Sequence, residues 1–140
     1  LQSQAYLAGI LHDIGKYSPQ FQDVLRDKAR GLDHWSMGAW IALKNVGRID
    51  VALAVQGHHI GLQHGDKDSL QALHPESLAA AHPLDLRLTE TDTDLLLRRL
   101  AADGFSLPVR GTRGVLTSSA AAMLDVRMLF STLTDADFLD

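Results

Sequence analysis

An apolar run over residues 5–11 leads directly into His12 and Asp13. When such a run is buried as a helix, it carries the carboxylate to the edge of the core, where an unpaired charge costs several kcal/mol. A bound divalent cation removes that cost and also creates a site for chemistry. Lys16, four residues after His12, offers the alternative of a simple ion pair with Asp13. The chain must therefore fold so that Asp13 meets a cation of one kind or the other.

The composition and the apolar pattern predict an all-α protein. Ala and Leu are abundant, and no stretch shows the period-two alternation of a strand. A chain of 140 residues suffices for one core, so residues 1–140 are predicted to form a single helical bundle. Residues 60–87, with Gly and Pro breaks and mixed charge, are predicted to form an irregular insertion. One long helix over residues 117–139 is expected to close the chain, with Met123 and Met128 in the core.

Four further residues have side chains of the types that bind metals. His58 and His59 end an apolar helical run, and His34 begins another predicted helix after Asp33, a candidate N-cap. Asp137 lies at the end of the final helix, where a carboxylate opposes the helix dipole unless a cation offsets it. Each position also has a structural interpretation: His34 as a capping or surface residue, one of the adjacent histidines in the core, and Asp137 in solvent.

The remaining polar and aromatic residues receive structural interpretations. The other histidines fall in the irregular segment and are predicted to be surface residues: His64, His74 and His82. Trp35 and Trp40 are predicted to lie in the core or at an interface. Arg110 and Arg113 lie in a loop, where they either guide a phosphate backbone or are simply solvated. Asp135 competes with Asp137 for a role at the end of the final helix.

Composition and charge limit the chemistry and the location of the protein. Cysteine is absent, so any metal must be held by histidine nitrogen and carboxylate oxygen atoms. The net charge of -4 argues against binding nucleic acid over a wide basic surface, although it allows a local basic groove. No stretch reaches the ~18 apolar residues of a membrane span, and the sequence shows no signal-peptide pattern. We therefore expect a cytoplasmic domain without a membrane partner.

The candidate residues fall within four short motifs. They are HDIGK followed by PQFQ over residues 12–22, DHWSMGA over 33–39, GHHIGL over 57–62 and STLTDADFLD over 131–140. In this order on a helical chain, the motifs resemble those of the HD metal-dependent phosphohydrolase superfamily. In detail they resemble the HD nuclease domain of the CRISPR-associated type I helicase-nuclease. The second motif departs from that family's DHSxxGA by the insertion of Trp35.

The resemblance implies a metal-dependent nuclease that hydrolyses phosphodiester bonds in antiviral defence. It implies that two divalent cations (Mn, Ni, Co, Fe or Mg) are bound by His12, Asp13, His34, His58, His59 and Asp137. Asp13 would bridge the two cations, and Lys16 would contact the scissile phosphate as a second catalytic residue. The implied substrate is single-stranded DNA displaced by a guide-RNA surveillance complex, with a helicase domain acting in cis or in trans.

Two features keep other interpretations open. The family has a further histidine ligand upstream of the HD pair, and the chain begins at Leu1 within an apolar helical pattern. We therefore expect a fragment that lacks its N-terminal helix and any following helicase. The alternative functions are an HD-superfamily phosphohydrolase acting on a free nucleotide or cyclic dinucleotide, and an inactive, metal-stabilised interaction module. A closed pocket with base-specific contacts would favour the first, and strand binding without cleavage would favour the second.

Overall fold

A computed structural model describes residues 1–26, 31–110 and 120–139 of the chain. It is mostly helical, with 67% helix and 3% strand, which confirms the predicted all-α class. The helices are α1 (Gln2–Leu11), α2 (Pro19–Val24), α3 (Ser36–Ile41), α4 (Ile49–Ile60), α5 (Lys67–Gln71), α6 (Pro75–Ala80), α7 (Thr93–Ala102) and α8 (Ala120–Leu139). A 3-10 turn (Ile14–Tyr17) follows α1, and a π-helical turn (Ala42–Val46) extends α3.

Helix α4 is the central helix of the bundle and packs against α8, α3 and α1. Its residues 51–57 are all buried, because other helices surround it on several sides. Gln56, a polar residue within this stretch, accepts a hydrogen bond from Ser36 Oγ at 3.0 Å. The last turn of α4 carries His58 and His59, so this packing brings other helix ends towards them.

Two glycines allow the chain segments around α1 to approach one another closely. At Gly15, a β-carbon would lie 2.3 Å from the carbonyl oxygen of His34, and the Gly15 N–H donates to that same oxygen at 2.9 Å. At Gly38, a β-carbon would lie 1.9 Å from the carbonyl oxygen of Leu11. Because neither position has room for a side chain, the loop before α3 and α3 itself lie directly against the end of α1.

The segment predicted as an irregular insertion is partly helical, since it contains α5 and α6. Asp66 and His74 each accept a hydrogen bond from a backbone N–H in the first turn of α5 and α6, respectively. At its end, β2 (Arg87–Leu88) pairs in parallel with β1 (Leu32–Asp33), a short pairing that the sequence pattern did not predict. Such short elements depend on caps and tertiary contacts rather than on apolar periodicity, which explains why they were missed.

Helix α8 buries one narrow stripe. The residues of this stripe are Val126, Leu129 and Leu133. Met123 and Met128 are 57% and 53% exposed, so the prediction that they belong to the core was wrong. They lie off the stripe, which follows a spacing of three and four residues along the helix. Residues 117–119 of the predicted helix lie outside the described residues. Among the described helices, none combines the length and the apolar character needed to cross a membrane.

Candidate metal centre

Four separate chain segments converge at one end of the bundle. They are the residues after α1, the loop before α3, and the last turns of α4 and α8. We call the six metal-ligand side chains that they bring together the His-Asp cluster. Its members are His12, Asp13, His34, His58, His59 and Asp137. Helix packing therefore assembles residues that are as much as 125 positions apart, counting from His12 to Asp137, into one site.

Asp13 is the most connected member of the His-Asp cluster. Its Oδ2 atom lies 3.2 Å from His12 Nε2 and accepts a hydrogen bond from Lys16 Nζ at 2.6 Å. Its Oδ1 atom lies 3.3 Å from His34 Nε2. The carboxylate thus presents its two oxygens to different imidazoles. The ion pair with Lys16, the simpler interpretation of Asp13, is present in the same geometry.

The other side chains of the His-Asp cluster also lie within a few ångströms of one another. Asp137 Oδ1 lies 3.7 Å from His12 Nε2, and the Nε2 atoms of His34 and His59 are 3.3 Å apart. Two sets of three have ligand atoms that all lie within 4.8 Å of one another: His12, Asp13 and Asp137, and His58, His59 and Asp137. Asp137 therefore belongs to both sets, although its side chain is 36% exposed.

Two imidazoles are fixed in the tautomer that a metal ligand needs. His12 Nδ1 donates a hydrogen bond to the carbonyl oxygen of Gly9 at 2.7 Å, and His58 Nδ1 donates to the carbonyl oxygen of Val55. Because Nδ1 carries the proton in each ring, Nε2 keeps its lone pair. Backbone carbonyls commonly orient metal-binding histidines in this way.

The His-Asp cluster fits a divalent cation. His58 Nε2 is buried and has no hydrogen-bond partner among the described residues, which is unfavourable unless a further group satisfies it. The 3.3 Å between His34 Nε2 and His59 Nε2 is about the separation of two nitrogens that each lie ~2.0–2.1 Å from one tetrahedral ion. Imidazole and carboxylate together suit the first-row transition metals. The residues present can therefore hold such an ion.

Electrostatics favour the protonation states that bind cations. Burial raises the pKa of the Asp13 carboxyl, but hydrogen bonds from two imidazoles and an ammonium group outweigh it and hold that pKa far below its usual range. Burial and the adjacent His58 ring lower the pKa of His59 to about 4, and burial also lowers the pKa of His58. At neutral pH, Asp13 is therefore anionic and both of these histidines are neutral, as metal ligands must be.

His12 differs from the other histidines of the cluster. Burial lowers the pKa of its imidazole, but the hydrogen bond to Asp13 and the charge of that carboxylate more than offset burial, so the pKa is raised. The Nε2 lone pair that could bind a cation therefore also attracts a proton beside Asp13, and a bound cation would replace that proton.

Aromatic rings and Lys16 surround the His-Asp cluster. The Trp35 ring packs on His59 with centroids 4.1 Å apart, and the Phe21 ring lies 5.4 Å from His34. Lys16 Nζ lies 5.9 Å above the Phe21 ring and borders a cleft of about 400 Å³ that opens to solvent. Neither Phe21 nor Trp35 was predicted to belong to the site, although both lie within the motifs that contain the predicted ligands.

A buried hydrogen-bonded pair supports the loop that carries His34. Asp33 is fully buried, and its Oδ1 atom accepts hydrogen bonds from the backbone N–H groups of Trp35 and Ser36. His82 Nε2 donates to Asp33 Oδ2 at 2.7 Å, and the His82 side chain is only 3% exposed. The prediction that His82 is a surface residue was therefore wrong. Its partner lies 49 positions away, and only the tertiary fold brings the two together.

Replacing Asp33 with alanine is expected to lower the free energy of unfolding by about 3 kcal/mol, because two backbone N–H groups and a buried imidazole lose their acceptor. Urea denaturation followed by circular dichroism measures this change. The control is Asp92→Ala, which removes an exposed N-cap from α7 and should cost about 1 kcal/mol. Equal losses in the two variants would contradict a structural role for the buried pair.

All seven predicted site residues lie in or beside this cluster. The six predicted ligands form it, and Lys16 contacts it through Asp13. The geometry also separates the two competing carboxylates of α8, because Asp137 lies beside His12 whereas Asp135 is exposed and belongs to neither set of three. The roles of these residues as metal ligands stay a prediction.

Comparison with known proteins gives one match. A family model described as HD domain matches residues 2–102, which run from α1 to α7. The match contains His12, Asp13, Lys16, His34 and the adjacent histidines of α4, whereas Asp137 lies beyond it. No curated protein and no solved structure matches the chain.

Proposed function

The chain belongs to the HD domain family, whose members are typically metal-dependent phosphohydrolases, and on this premise we propose that it hydrolyses phosphodiester bonds of single-stranded DNA. The coarser part of this statement, metal-dependent phosphohydrolase chemistry, is what the family match suggests. The choice of DNA as substrate is our proposal. It is supported by the four motifs, which resemble those of the HD nuclease domain of the CRISPR-associated helicase-nuclease.

One observation carries the proposal. Four histidines and two carboxylates from four chain segments meet at one place, and a lysine contacts the central carboxylate at 2.6 Å. Phosphodiester hydrolysis needs neutralisation of the charge that develops on the phosphate, and it needs a nucleophile at neutral pH. Divalent cations, when bound, lower the pKa of a coordinated water and offset phosphate charge. The cluster provides the ligands for such cations.

The residues of the chain have distinct roles in this proposal. His12, Asp13 and Asp137 would hold one cation, and Asp13 together with His34, His58 and His59 would hold another. Lys16, whose side chain is 42% exposed, would exchange its contact with Asp13 for a phosphate oxygen and stabilise its charge. The backbone carbonyls of Gly9 and Val55 would keep two of the imidazoles aligned.

The cleft beside Lys16 supports an extended substrate. Its polar lining consists of Lys16, Tyr17, Gln22 and Arg99 with one carboxylate, Asp103, and it opens to solvent, so a strand can cross it without being enclosed. A free nucleotide or a cyclic dinucleotide would gain little from such an open site, because few groups converge on a base. We therefore place the phosphate backbone, rather than a base, at the centre of recognition.

The cellular setting that we propose follows from the motifs alone. The nuclease would act on a strand displaced by a guide-RNA surveillance complex, with a helicase in cis or in trans, in defence against foreign DNA. The cytoplasm is the compartment that this role requires.

We expect metal-dependent cleavage of single-stranded DNA and not of duplex DNA. The protein is freed of metal with a chelator and then supplied in turn with Mn, Co, Ni, Fe and Mg. End-labelled strands of one sequence, single and paired, are resolved on a denaturing gel. The single strand should be cut at least about tenfold faster, which corresponds to ~1.4 kcal/mol in the barrier.

Two outcomes would contradict the proposed function. Faster hydrolysis of a cyclic dinucleotide or a free nucleotide than of the strand would indicate a nucleotide phosphohydrolase. Binding of the strand without cleavage in any of the metals would indicate an interaction module. Protein with Asp13 replaced by alanine, purified in parallel, controls for a contaminating nuclease.

A further inference from the structure

A second concave surface lies apart from the His-Asp cluster. It is a groove with a volume of about 760 Å³ between the end of α3 and the helices α5 and α6. We call it the Trp40 groove, and the lining residues on which its chemistry depends are Trp40, Lys44, Lys67, His74, Glu76 and Arg110. None of these residues belongs to the His-Asp cluster, so the mechanism proposed above does not use them.

The Trp40 groove is positively charged in a protein of net charge -4. Lys44, Lys67 and Arg110 are exposed along it, against the single acidic side chain of Glu76. Within the described part of the chain, none of the three cations forms an ion pair. Arg110 lies over the turn at Gly47, with its Nε atom 3.5 Å from the place of a β-carbon there. Three unpaired cations around one groove favour an anionic ligand.

Two aromatic rings, those of Trp40 and His74, line the same groove as these charges. Trp40 is half-buried and packs on the hydrophobic core, while its ring meets that of His74 at 4.7 Å and an angle of 70°. His74 is itself held, because its Nδ1 atom accepts a hydrogen bond from the Glu76 N–H at 3.2 Å. The Trp40 ring is therefore fixed before any ligand arrives. Fixed aromatic rings within basic grooves are a recurrent means of stacking the bases of single strands.

The Trp40 groove lies at the opposite end of α3 from the metal-ligand loop. His34 precedes α3, whereas Trp40 and Lys44 lie at its end and in the π-helical turn that extends it. With a rise of 1.5 Å per residue, the ten residues between His34 and Lys44 span roughly 15 Å. This distance corresponds to a few nucleotides of an extended strand.

We propose that the Trp40 groove is a second binding site for single-stranded nucleic acid, in which Lys44, Lys67 and Arg110 contact phosphates and Trp40 stacks on a base. The proposal rests on the proposed function, because it assigns this groove to the same substrate. The groove would bind a part of the strand that lies outside the metal centre. It would therefore raise the affinity for the strand without taking part in the chemistry. The combination of a fixed ring with cations favours a strand over an acidic peptide, which would use the cations alone.

Strand binding is measured without divalent metal, so that no cleavage occurs. A fluorescently labelled oligothymidine is titrated with the protein in the presence of a chelator, and anisotropy gives the affinity at several salt concentrations. The double variant Lys44→Ala/Lys67→Ala should bind on the order of tenfold more weakly, and the slope of log affinity against log salt should fall by about 1.4. The matched control, Arg98→Ala/Arg127→Ala, removes the same charge from exposed helix positions and should bind like the unaltered protein.

Tryptophan fluorescence tests separately whether a base stacks on Trp40. Oligothymidine should quench the tryptophan fluorescence of the unaltered protein, and Trp40→Phe, which retains only Trp35 beside His59, should show much weaker quenching while it retains most of the affinity. Equal affinity of the lysine variant and its arginine control would overturn the proposal. Undiminished quenching in Trp40→Phe would overturn the stacking role of Trp40. Displacement of the strand by polyglutamate at an equal concentration of charges would favour an acidic protein partner instead.

A small phosphodiester separates this inference from the proposed function. Bis(4-nitrophenyl) phosphate can reach the metal centre without touching the Trp40 groove, so Lys44→Ala/Lys67→Ala should hydrolyse it as fast as the unaltered protein in the presence of metal. If neither the unaltered protein nor the variant hydrolyses this compound, but strand binding still depends on the two lysines, the proposed nuclease function is overturned and the proposed binding site stands. If hydrolysis is normal and the variant binds the strand as tightly as the unaltered protein, the proposed binding site is overturned and the nuclease function stands.

Discussion

Replacement of Asp13 with alanine is expected to reduce metal-dependent cleavage at least about a hundredfold, a loss typical of removing a group that stabilises transition-state charge. Asp13 contacts His12, His34 and Lys16, and it is the carboxylate whose two oxygens point to different imidazoles. Its removal should abolish the shared ligand and weaken the binding of manganese as well. Cleavage rates and isothermal titration with manganese measure the two effects.

The same α-helix that supplies Asp137 offers a control for this prediction. Asp135→Ala removes one carboxylate from the end of α8 but leaves the His-Asp cluster intact, because Asp135 is exposed and lies in neither set of ligand atoms. It should keep both activity and manganese affinity. Thermal melts confirm that each variant is folded. A loss of less than about tenfold in Asp13→Ala, or ~1.4 kcal/mol in the barrier, would contradict a bridging role.

Gly38→Ala is expected to lower the free energy of unfolding by about 3 kcal/mol or more, which is at the upper end for overpacking of a core. The added β-carbon would lie 1.9 Å from the Leu11 carbonyl oxygen and 2.8 Å from its carbon, so backbone rather than a side chain must move. Because Leu11 directly precedes His12 and Asp13, metal affinity should fall with stability. Urea denaturation and manganese titration measure the two losses.

Gly9→Ala is the matched control, since it makes the same substitution within α1. A β-carbon at Gly9 would meet nothing within 4 Å, and alanine is the better helix former. This variant should therefore be more stable by about 0.5–1 kcal/mol. A Gly38→Ala protein as stable as the unaltered one would show that α1 and α3 can separate without cost, which would contradict the close contact described here.

The fold class was predictable because it depends on local properties. Helix-forming residues with apolar spacing predicted that His58 and His59 end a helix, and both lie in the last turn of α4 (Ile49–Ile60). The same reasoning failed for the methionines of α8 and for α5 and α6. Which apolar positions are buried depends on where neighbouring helices lie, and short helices depend on contacts that periodicity does not contain.

The candidate site divides in the same way. His12 with Asp13 and His58 with His59 are neighbours in the sequence, so each pair is together in any fold. The choice of Asp137 over Asp135 was not derivable from their apolar neighbours and follows from packing of α8 against α4 and α1. The buried pair of Asp33 and His82 gave no signal, because an isolated histidine in a polar segment is ordinarily exposed.

By itself, the sequence determined the side chains available for chemistry, the helical character of the chain and the absence of thiolate ligands. These properties belong to single residues or to neighbours along the chain, so they hold before folding. Only the tertiary structure decided that His34, Asp137 and the end of α4 meet Asp13, and that Trp40 lines a basic groove at the other end of α3. Such meetings require helices to pack at particular angles and distances, and long-range packing has no counterpart in local spacing.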